Sequence, residues 1–566
     1  MAKPDVASRR TATRPNWLFL ALALACLVLG AWLRFWSLDF GLPHPGTRPD
    51  ERPVLDLTVL AAQGNLEFDW SNYPHAYVYL HWLWGELTLR AAALLNLVPS
   101  GDYARVWRSD PGHLYLLGRG LSASLGVVTI GFVIAATKRA FGSVTAILAG
   151  LWLAVNLLHV RDSHALKPDV LLALAIQLCL IASVRLAEAP TARRGAIAGL
   201  TVGFAAAAKY NGVLAAIPVM AASWLGSRGH TLRTLWVPLF IAGGCSIAFF
   251  LATSPYLLTN DASQEMLRHN LHAVFPTWID APPEGLRTNL SDLDLPSHPD
   301  WVHRYGALSG FLYHPTFSLR HGVGLGATLL FPIAVLWGLR SRVLLARLSA
   351  IFVTGWLVTI SLSPVLLSRY VTPALPAIAI LEAGAVVTFL RRFAPNHVGA
   401  LTSLAALALC TEPLIDSIQL NRLLAMPDSR VQATEWLAEH IQPRERTLIV
   451  GTRFWGWGEP ALPPPARRVE LHGRKQIDPR VADWVVAHDH ELFWSDTDRA
   501  LLRRSRPWLE LRAEFDPNAP RGPAPVFERN DAWYVPISGF SGVFFPGPRV
   551  EIYRVRKAAP RGAGAR

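Results

Sequence analysis

Two adjacent acids follow the first long apolar stretch of this 566-residue chain. Asp50 and Glu51 come directly after a proline- and glycine-rich turn that begins at Gly41. A carboxylate near a membrane interface, beneath aromatic helices, can act as the general base for an acceptor hydroxyl. The alternative interpretation is a solvated pair of loop acids, and the local sequence favours neither interpretation over the other.

A second polar cluster lies between two later apolar stretches. His164, Lys167 and Asp169 follow one another in a short turn that also contains Asp162. A lysine and a histidine beside a helix N-terminus are suited to binding an anion, because the helix dipole adds to their charge. Asp169 is either a site acid or the cap of the next helix. Asp162 is interpreted as a solvated loop residue.

Two further cations stand where apolar segments begin or end. Lys209 and Tyr210 join two short apolar segments, and Arg369 and Tyr370 precede another. A charge this close to hydrocarbon is costly unless it snorkels to the interface or meets an anion. Arginine suits bidentate phosphate binding and tyrosine suits the interface, so a phosphate site and an aromatic-belt anchor are both open. Glu382, further into the same segment, is a candidate for a polar contact inside a helix bundle.

Composition identifies the elements that must position these groups. Hydrophobic residues make up 51% of the chain and charged residues 17%, with a mean hydropathy of +0.27, whereas soluble proteins carry about 25% charged residues. Runs such as 120–137 and 235–260 contain no charged residue, and about 20 apolar residues suffice to cross a membrane as a helix. The composition excludes a disordered chain, a disulfide scaffold and a purely soluble enzyme, and it predicts a polytopic α-helical membrane protein.

Hydropathy predicts eleven spans. They lie near residues 17–36, 115–137, 143–160, 169–185, 195–208, 211–226, 234–254, 321–338, 348–364, 371–390 and 397–414. Lysines and arginines gather in alternate short loops, at 138–139, 193–194, 228–233, 340–347 and 391–392. The positive-inside rule assigns those loops and the N-terminus to the cytoplasm. Membrane orientation therefore explains the net charge of +13 without a nucleic-acid partner.

The chain is predicted to divide into four parts. Residues 1–16 form a cytoplasmic tail, 17–415 a transmembrane domain with outer loops at 37–113 and 255–320, 416–557 a small outward-facing α/β domain, and 558–566 a disordered end. Residues 75–98 are predicted to form amphipathic helices along the interface, and 255–320 to form a mobile loop over a site. In the α/β domain we predict a helix at 433–441 and strands at 447–450, 483–487 and 550–555.

Other motifs are less informative. The four cysteines lie in apolar runs without zinc or disulfide spacing, so they are predicted to be core residues. The run from His488 to Glu491 lacks the spacing of a zinc motif and is predicted to lie at the surface. Asn289-Leu-Ser291 is a formal glycosylation acceptor.

Several of these motifs follow one another in a characteristic order. They are Asp50-Glu51, Tyr73-Pro74 with the aromatic run after it, Arg119, Lys138 to Gly142, His164 to Asp169, Lys209 to Gly212 and Arg369 to Pro376. Over roughly residues 17 to 415 the chain thereby resembles the membrane glycosyltransferases of the GT-C superfamily. The most similar branch is glycosyltransferase family 39, the polyprenyl- or dolichyl-phosphate-sugar enzymes related to protein O-mannosyltransferases and lipid A aminoarabinose transferases.

The resemblance implies an inverting transfer of a sugar from a polyprenyl-phosphate donor to a hydroxyl at the outer membrane face. Asp50 would be the base, Glu51 would orient it, and Asp169 would close the site from the opposite side. The residues implied for the donor phosphate are His164, Lys167, Lys209, Tyr210, Arg369 and Tyr370. Fixed cations in a poorly hydrated site stabilise the charge of a leaving phosphate.

Some features stay open under this resemblance. The family commonly has a small or apolar residue two positions before its second Asp, where this chain has Lys167, which either adds phosphate-binding charge or leaves Asp169 as a cap. The sequence requires no cofactor, although related oligosaccharyltransferase-like enzymes hold a divalent metal ion. Protein hydroxyls, lipid A and cell-surface glycan are all candidate acceptors. The expected location is a bacterial inner membrane, in contact with membrane lipid.

Two other classes compete with the enzyme. A transporter or flippase for a lipid-linked or anionic solute would explain eleven spans and the charges at Lys209 and Glu382, but such sites usually lie at the midplane. A noncatalytic assembly protein would use its aromatic residues to stack on cell-wall sugar and would not need Asp50. The clustering of charges at one face favours the transferase.

Overall fold

The computed structural model describes residues 17–557, with the exception of 45, 99–100, 228–230, 275–308, 364, 452–455, 465, 472–475, 493–494, 496, 520–521, 529–530 and 532. The predicted tails at 1–16 and 558–566 and the Asn289-Leu-Ser291 acceptor lie outside the described residues. Helices dominate the chain up to Leu424, and a five-stranded sheet lies in the remainder.

Helices occupy all eleven positions where spans are predicted. In chain order they are Trp17–Phe35, Gly112–Phe141, Ser143–Val155 with Leu157–Ser163, Asp169–Glu188, Ala192–Ala208, Ala216–Ser227, Leu232–Thr253, Leu325–Arg340, Leu344–Ser361, Leu375–Phe393 and Val398–Leu424. Within the described chain, seven helical segments are long and apolar enough to cross a membrane, or eight if one bent pair counts as a span. Leu325–Arg340 is a shorter apolar helix.

The bent pair turns by 55° at Asn156. Asn156 has an extended backbone, and its side-chain oxygen accepts a hydrogen bond from the backbone N–H of His159 at 3.0 Å. An asparagine in this position caps the second helix and interrupts the first. The short helix Leu157–Ser163 therefore leads at an angle into the turn that contains Lys167.

A glycine stripe brings two helices into close contact. Gly195, Gly199 and Gly203 of the helix Ala192–Ala208 face the backbone of the helix Leu232–Thr253, and a Cβ added at Gly199 would lie 2.2 Å from the carbonyl oxygen of Ala242. Small residues four apart allow helix backbones to approach closely in membranes. The stripe thus positions the C-terminal end of Ala192–Ala208, where Lys209 begins the next turn.

Replacing Gly199 by alanine is expected to destabilise the protein by about 1–3 kcal/mol, because the added methyl group overpacks this contact. Gly244→Ala on the partner helix is the matched control, since a Cβ there meets nothing within 4 Å. Thermal unfolding in detergent measures both variants. Equal midpoints for the two variants would contradict the proposed packing role of Gly199.

Three helices lie in the segment predicted as the first outer loop. Glu51–Ala62, His75–Leu94 and Tyr103–Ser109 follow the first span. The helix His75–Leu94 has 20 residues, but it is not among the candidate spans found in the described chain. Its predicted position along the membrane interface stays a prediction. The ion pair of Glu86 with Arg90, 2.8 Å long, lies on this helix.

The segment predicted as the second outer loop is partly helical where it is described. A 3₁₀ turn covers Pro255–Leu258 and a helix covers Asp261–Val274. After the gap, short helical turns at Ser309–Tyr313, His314–Leu319 and Arg320–Gly322 lead into the next apolar helix. The predicted mobile loop therefore contains ordered helix at both of its ends, and its middle lies outside the described residues.

The C-terminal part contains a mixed sheet. Its strands are β1 (Arg446–Val450), β2 (Arg467–Val469), β3 (Trp484–Asp489), β4 (Leu509–Phe515) and β5 (Arg549–Val555), in the order β2-β1-β3-β5-β4. β1 is parallel to β2 and β3, whereas β5 is antiparallel to β3 and β4. Helices Ser429–His440 and Arg499–Ser505 accompany it. The predicted helix and three predicted strands are confirmed, and β2 and β4 were not predicted.

Two minor predictions have different outcomes. His488 is 1% exposed and lies within hydrogen-bonding distance, 2.9 Å, of the Ser495 hydroxyl, so the prediction that it lies at the surface is wrong. It lies one residue before the end of the central strand β3, and Ser495 and Gly458 pack against its ring. The cysteines are free, and Cys26, Cys179 and Cys410 are buried as predicted, whereas Cys245 is half-buried.

Candidate active site

Asp50 faces a cationic cluster at one end of the helix bundle. It precedes the helix Glu51–Ala62 without capping it through its side chain. One carboxylate oxygen accepts a hydrogen bond from Arg369 at 2.6 Å, and the side chain is 31% exposed. Burial raises the pKa of Asp50, but Arg369, Arg48 and Lys167 outweigh burial and hold the pKa below its usual value. Asp50 is therefore an ionised, accessible carboxylate and not a fully solvated loop acid.

Asp169 pairs with Lys209 in the same region. The Lys209 ammonium donates to one oxygen of Asp169 at 2.8 Å, and the side chains are 14% and 2% exposed. Pro168, not Asp169, occupies the cap position of the following helix. The helix-cap alternative for Asp169 and the snorkelling alternative for Lys209 are thus both replaced by an ion pair of a buried carboxylate with a half-buried ammonium.

Lys167 is the least satisfied cation of the described site. Its side chain is 1% exposed, and its ammonium nitrogen has no hydrogen-bond partner among the described residues. Burial, together with the neighbouring charges of Arg48 and Arg369, lowers the pKa of Lys167 to about 8, against the opposing effect of Asp162 and Asp531. A buried, unpartnered ammonium is a strong electrostatic attractant for an incoming anion.

Two tyrosine rings line the space beside Lys209. The Lys209 ammonium lies 5.8 Å from the centre of the Tyr73 ring and 5.3 Å from that of Tyr370. Burial and the charge of Asp50 raise the pKa of Tyr73 well above its usual value, so its hydroxyl stays protonated. Tyr370 therefore lies at the predicted site, and Tyr73 joins it.

Glu51 has a different environment from that of its neighbour. It is 0% exposed and accepts two hydrogen bonds from Arg119, at 2.7 and 2.9 Å, and a third from the backbone N–H of Leu166 at 2.9 Å. Arg119 also donates to the carbonyl oxygens of Leu38 and Phe40. Glu51 thereby holds the turn before Lys167 against the start of the helix Glu51–Ala62. This is a positioning role.

Two residues that were predicted to bind the donor phosphate, His164 and Tyr210, make their hydrogen bonds elsewhere. The ring nitrogens of His164 lie 2.8–2.9 Å from the carbonyl oxygens of Val160 and Trp36 and from the side-chain oxygen of Asn421. The hydroxyl of Tyr210 donates to the carbonyl oxygen of Ser71 at 2.9 Å. These contacts do not support direct phosphate binding by either residue; both hold neighbouring segments together.

Asp162 is buried rather than solvated. It is 1% exposed, and it accepts a hydrogen bond from the Thr372 hydroxyl at 2.5 Å. The interpretation of Asp162 as a solvated loop acid is therefore wrong. The cause lies in the fold, because the 3₁₀ turn Ser368–Ala374, which contains Arg369 and Thr372, packs over the helix Leu157–Ser163.

Sequence reasoning missed several members of the cluster. Arg48 and Arg161 lie within it, and Glu528 and Asp531 enter from the C-terminal part of the chain. Arg48 stands two residues before Asp50, which is a local signal that could have identified it. No local signal identifies Glu528 and Asp531, since they come from a distant, polar part of the sequence.

The described side chains of the site do not fit the ligand set of a resident divalent metal ion. Asp50 and Asp169 each face a cation, and within the described residues no group of three or more histidines, cysteines or acids is arranged to hold a metal. The arrangement is instead suited to binding a phosphate beside an accessible carboxylate.

The sequence matches one protein family over part of its length. The family of dolichyl-phosphate-mannose-protein mannosyltransferases matches residues 117–258, which include Lys167, Asp169 and Lys209. No curated protein matches the sequence.

Solved membrane enzymes have a similar architecture. The oligosaccharyltransferase of Archaeoglobus fulgidus in its apo form has a TM-score of 0.50 at 12% identity, over 89% of this chain and 74% of that one. ArnT from Cupriavidus metallidurans bound to undecaprenyl phosphate has a TM-score of 0.44 at 15% identity, over 80% and 86%.

The fold is thus that of the GT-C membrane glycosyltransferases, and the predicted resemblance is confirmed. The family match bears out the predicted enzyme class, a glycosyltransferase.

Proposed function

We propose that this protein transfers a sugar from a polyprenyl-phosphate donor to an acceptor hydroxyl at the outer face of a bacterial inner membrane. The observation that carries the proposal is the accessible carboxylate of Asp50 beside Arg369, 2.6 Å away, with the unpartnered ammonium of Lys167 in the same cluster. A base next to a phosphate-binding site is the arrangement that a direct displacement requires. The family name of the matching region, which refers to a dolichyl-phosphate sugar, supports the same donor class.

The reaction follows from this geometry as one displacement. Asp50 accepts the proton of the acceptor hydroxyl as its oxygen attacks the anomeric carbon of the sugar. The bond between that carbon and the phosphate oxygen breaks, and its electron pair leaves with the lipid phosphate. Arg369 and Lys167 stabilise the charge that develops on the phosphate. One attack on the face opposite the leaving group inverts the anomeric centre.

Asp169 and Lys209 are assigned a second role in the same site. Their ion pair keeps the Lys209 ammonium near both the Tyr73 and the Tyr370 ring. Aromatic rings and a fixed cation suit the apolar face of a sugar and its phosphate ester. We therefore assign Tyr73, Lys209 and Tyr370 to the donor, with Asp169 as the residue that orients Lys209.

The acceptor is expected to approach from the side of the C-terminal domain. A cavity of about 520 Å³ lies between this domain and the first outer segment, and its lining includes Pro49, Arg52, Trp457 and Arg468. Pro49 and Arg52 flank the Asp50–Glu51 pair in the sequence, so an acceptor in this cavity is near the base. A tryptophan and two arginines suit a glycan or an acidic lipid head group.

The test supplies the purified protein with undecaprenyl-phosphate sugars and with nucleotide sugars. We expect mass spectrometry to detect a glycosylated acceptor and free undecaprenyl phosphate only with the lipid-linked donors. A comparison of envelope glycans between wild-type and deletion strains identifies the acceptor. Transport of a lipid-linked or anionic solute into proteoliposomes, without any transfer product, would instead establish the transporter.

Donor binding is expected to weaken as the pH rises from 7 to 9. The pKa of Lys167 is about 8, so its ammonium is mostly charged at pH 7 and mostly neutral at pH 9. The charged form attracts the phosphate, and loss of this charge therefore weakens binding, by at most about tenfold per pH unit. Titrations with undecaprenyl phosphate at several pH values measure the effect.

Lys167→Arg is the control for this pH dependence. A guanidinium stays protonated throughout this range, and the phosphate ester itself titrates near pH 6, below the range. Arg48, Arg369, Asp162 and Asp531 are the charged groups around Lys167. The pKa of Arg48 is raised above its usual value and the pKa of Asp531 is lowered below its usual value, so neither group changes charge in this range. The guanidinium of Arg369 also stays protonated. A pH profile that is the same in the wild type and in Lys167→Arg would rule out Lys167 as its cause.

A further inference from the structure

The C-terminal domain inserts a carboxylate into the cationic cluster. Asp531 accepts two hydrogen bonds from Arg48, at 2.5 and 3.0 Å, and lies 3.5 Å from Arg161 and 3.6 Å from Arg369. Its side chain is 4% exposed. The guanidinium carbons of Arg48 and Arg161 each lie 4.8 Å from the centre of the Trp533 ring. Asp531 is thus held at the centre of three arginines, two of which stack on a nearby aromatic ring.

The pocket around Asp531 has the composition of a phosphate site. Guanidinium groups bind phosphate and carboxylate with the same bidentate geometry. A phosphate ester carries about −1.5 to −2 charges and three terminal oxygens, whereas a carboxylate carries one charge and two oxygens. The nearby ammonium of Lys167 has no hydrogen-bond partner in the described chain while Asp531 is present. A phosphate in this pocket could satisfy Lys167 as well as the arginines.

Glu528 provides a contrast within the same segment of the C-terminal domain. Its carboxylate accepts hydrogen bonds of 2.5 Å from both the backbone N–H and the hydroxyl of Ser368, and it pairs with Arg161 at 3.2 Å. Directional bonds from neutral, rigid donors fix Glu528 in place. The described partners of the Asp531 carboxylate are instead all arginines. An anion of higher charge, such as a phosphate, competes with the carboxylate for these arginines.

We propose that Asp531 is a built-in occupant of the donor-phosphate site, which the lipid phosphate displaces from Arg48, Arg161 and Arg369 when the donor binds. This inference rests on the proposed function of the site. Glu528 stays anchored to Ser368 during the exchange. Because the carboxylate must leave first, the apparent donor affinity of the protein is lower than the affinity of the vacated site.

The first test compares donor affinity in variants of the full-length protein in lipid nanodiscs. We expect Asp531→Asn to bind undecaprenyl phosphate at least about fivefold more tightly than the wild type, because a neutral amide competes less well for the arginines. Asp516→Asn is the matched control: Asp516 lies in the same domain, is 39% exposed and approaches Arg549 at 3.8 Å. Its affinity should equal that of the wild type.

Hydrogen exchange of the wild-type protein gives a second readout that does not depend on a variant. Undecaprenyl phosphate is expected to accelerate amide exchange in peptides that contain Asp531, because the carboxylate loses its partners. Slower exchange with the lipid, or weaker binding by Asp531→Asn, would overturn the proposal and make Asp531 a positioning residue for the arginines.

The remaining outcomes separate this proposal from the proposed function. If the wild type binds undecaprenyl phosphate, Asp531→Asn has the same affinity, and the lipid leaves amide exchange around Asp531 unchanged, then the displacement alone is overturned. Absence of lipid-phosphate binding in the wild type and in every variant would overturn both. Transfer activity in the Asp531→Asn protein, measured beside its affinity, reports whether the remaining site is intact.

Discussion

Asp50→Asn is expected to lower kcat for sugar transfer by about 10²–10⁴-fold, the usual contribution of a general base. The amide has nearly the same shape as the carboxylate but cannot accept the hydroxyl proton. In the wild type, Arg369, Arg48 and Lys167 hold the pKa of Asp50 below its usual value. The carboxylate is therefore already ionised at neutral pH and can accept a proton there. Steady-state transfer from an undecaprenyl-phosphate sugar measures the effect.

Asp56→Asn is the matched control for this substitution. Asp56 lies on the same helix, is 49% exposed and pairs with Arg52 at 3.6 Å, so its loss should leave kcat near the wild-type value. Binding of undecaprenyl phosphate to Asp50→Asn should be retained or strengthened, because a negative charge beside Arg369 is removed. Full transfer activity in Asp50→Asn would contradict the assignment of Asp50 as the general base.

Glu51→Gln is expected to destabilise the fold by about 3–5 kcal/mol, the cost of breaking a buried ion pair. The substitution leaves the guanidinium of Arg119, whose side chain is 1% exposed, without its counter-charge. It also weakens the acceptor for the backbone N–H of Leu166. Thermal unfolding in detergent measures the loss, and the turn that carries Lys167 should be among the first regions to gain hydrogen exchange.

Glu188→Gln is the control for this effect. Glu188 pairs with Arg139 at 3.2 Å, and both side chains are well exposed, so the expected cost is about 0–1 kcal/mol. Replacing Glu51 and Arg119 together by leucine should restore part of the stability, because no uncompensated charge remains. A Glu51→Gln protein as stable as Glu188→Gln would contradict the positioning role of Glu51.

The helical part of the fold could be predicted because its signal is local. A run of apolar residues such as 235–260 is long enough to identify a helix wherever the rest of the chain lies. The short strand β2, Arg467–Val469, could not be predicted, because three residues with two arginines have no pattern of their own. β2 forms through its parallel pairing with β1, which is a tertiary contact.

The site could be predicted only at the level of residue types. The sequence indicated acids and cations at one face, but the pairing of Arg369 with Asp50 joins residues 319 positions apart. Asp50 and Glu51 are neighbours, and because Asp50 already has a helical backbone conformation, their side chains diverge by about 100°. Asp50 therefore faces the cationic cluster and Glu51 the buried Arg119, a difference that no local pattern reveals.

The sequence by itself determined the class of protein: an apolar chain whose motif order resembles GT-C glycosyltransferases, with Asp50, Lys167, Asp169, Lys209 and Arg369 as candidate site residues. These properties follow from composition and from short motifs, which are readable along the chain. Only the tertiary structure decided which charges meet, that His164 and Tyr210 hold segments together, and that Asp531 occupies the arginine cluster. Ion pairing depends on distances of a few ångströms, and folding alone sets those distances between residues far apart in sequence.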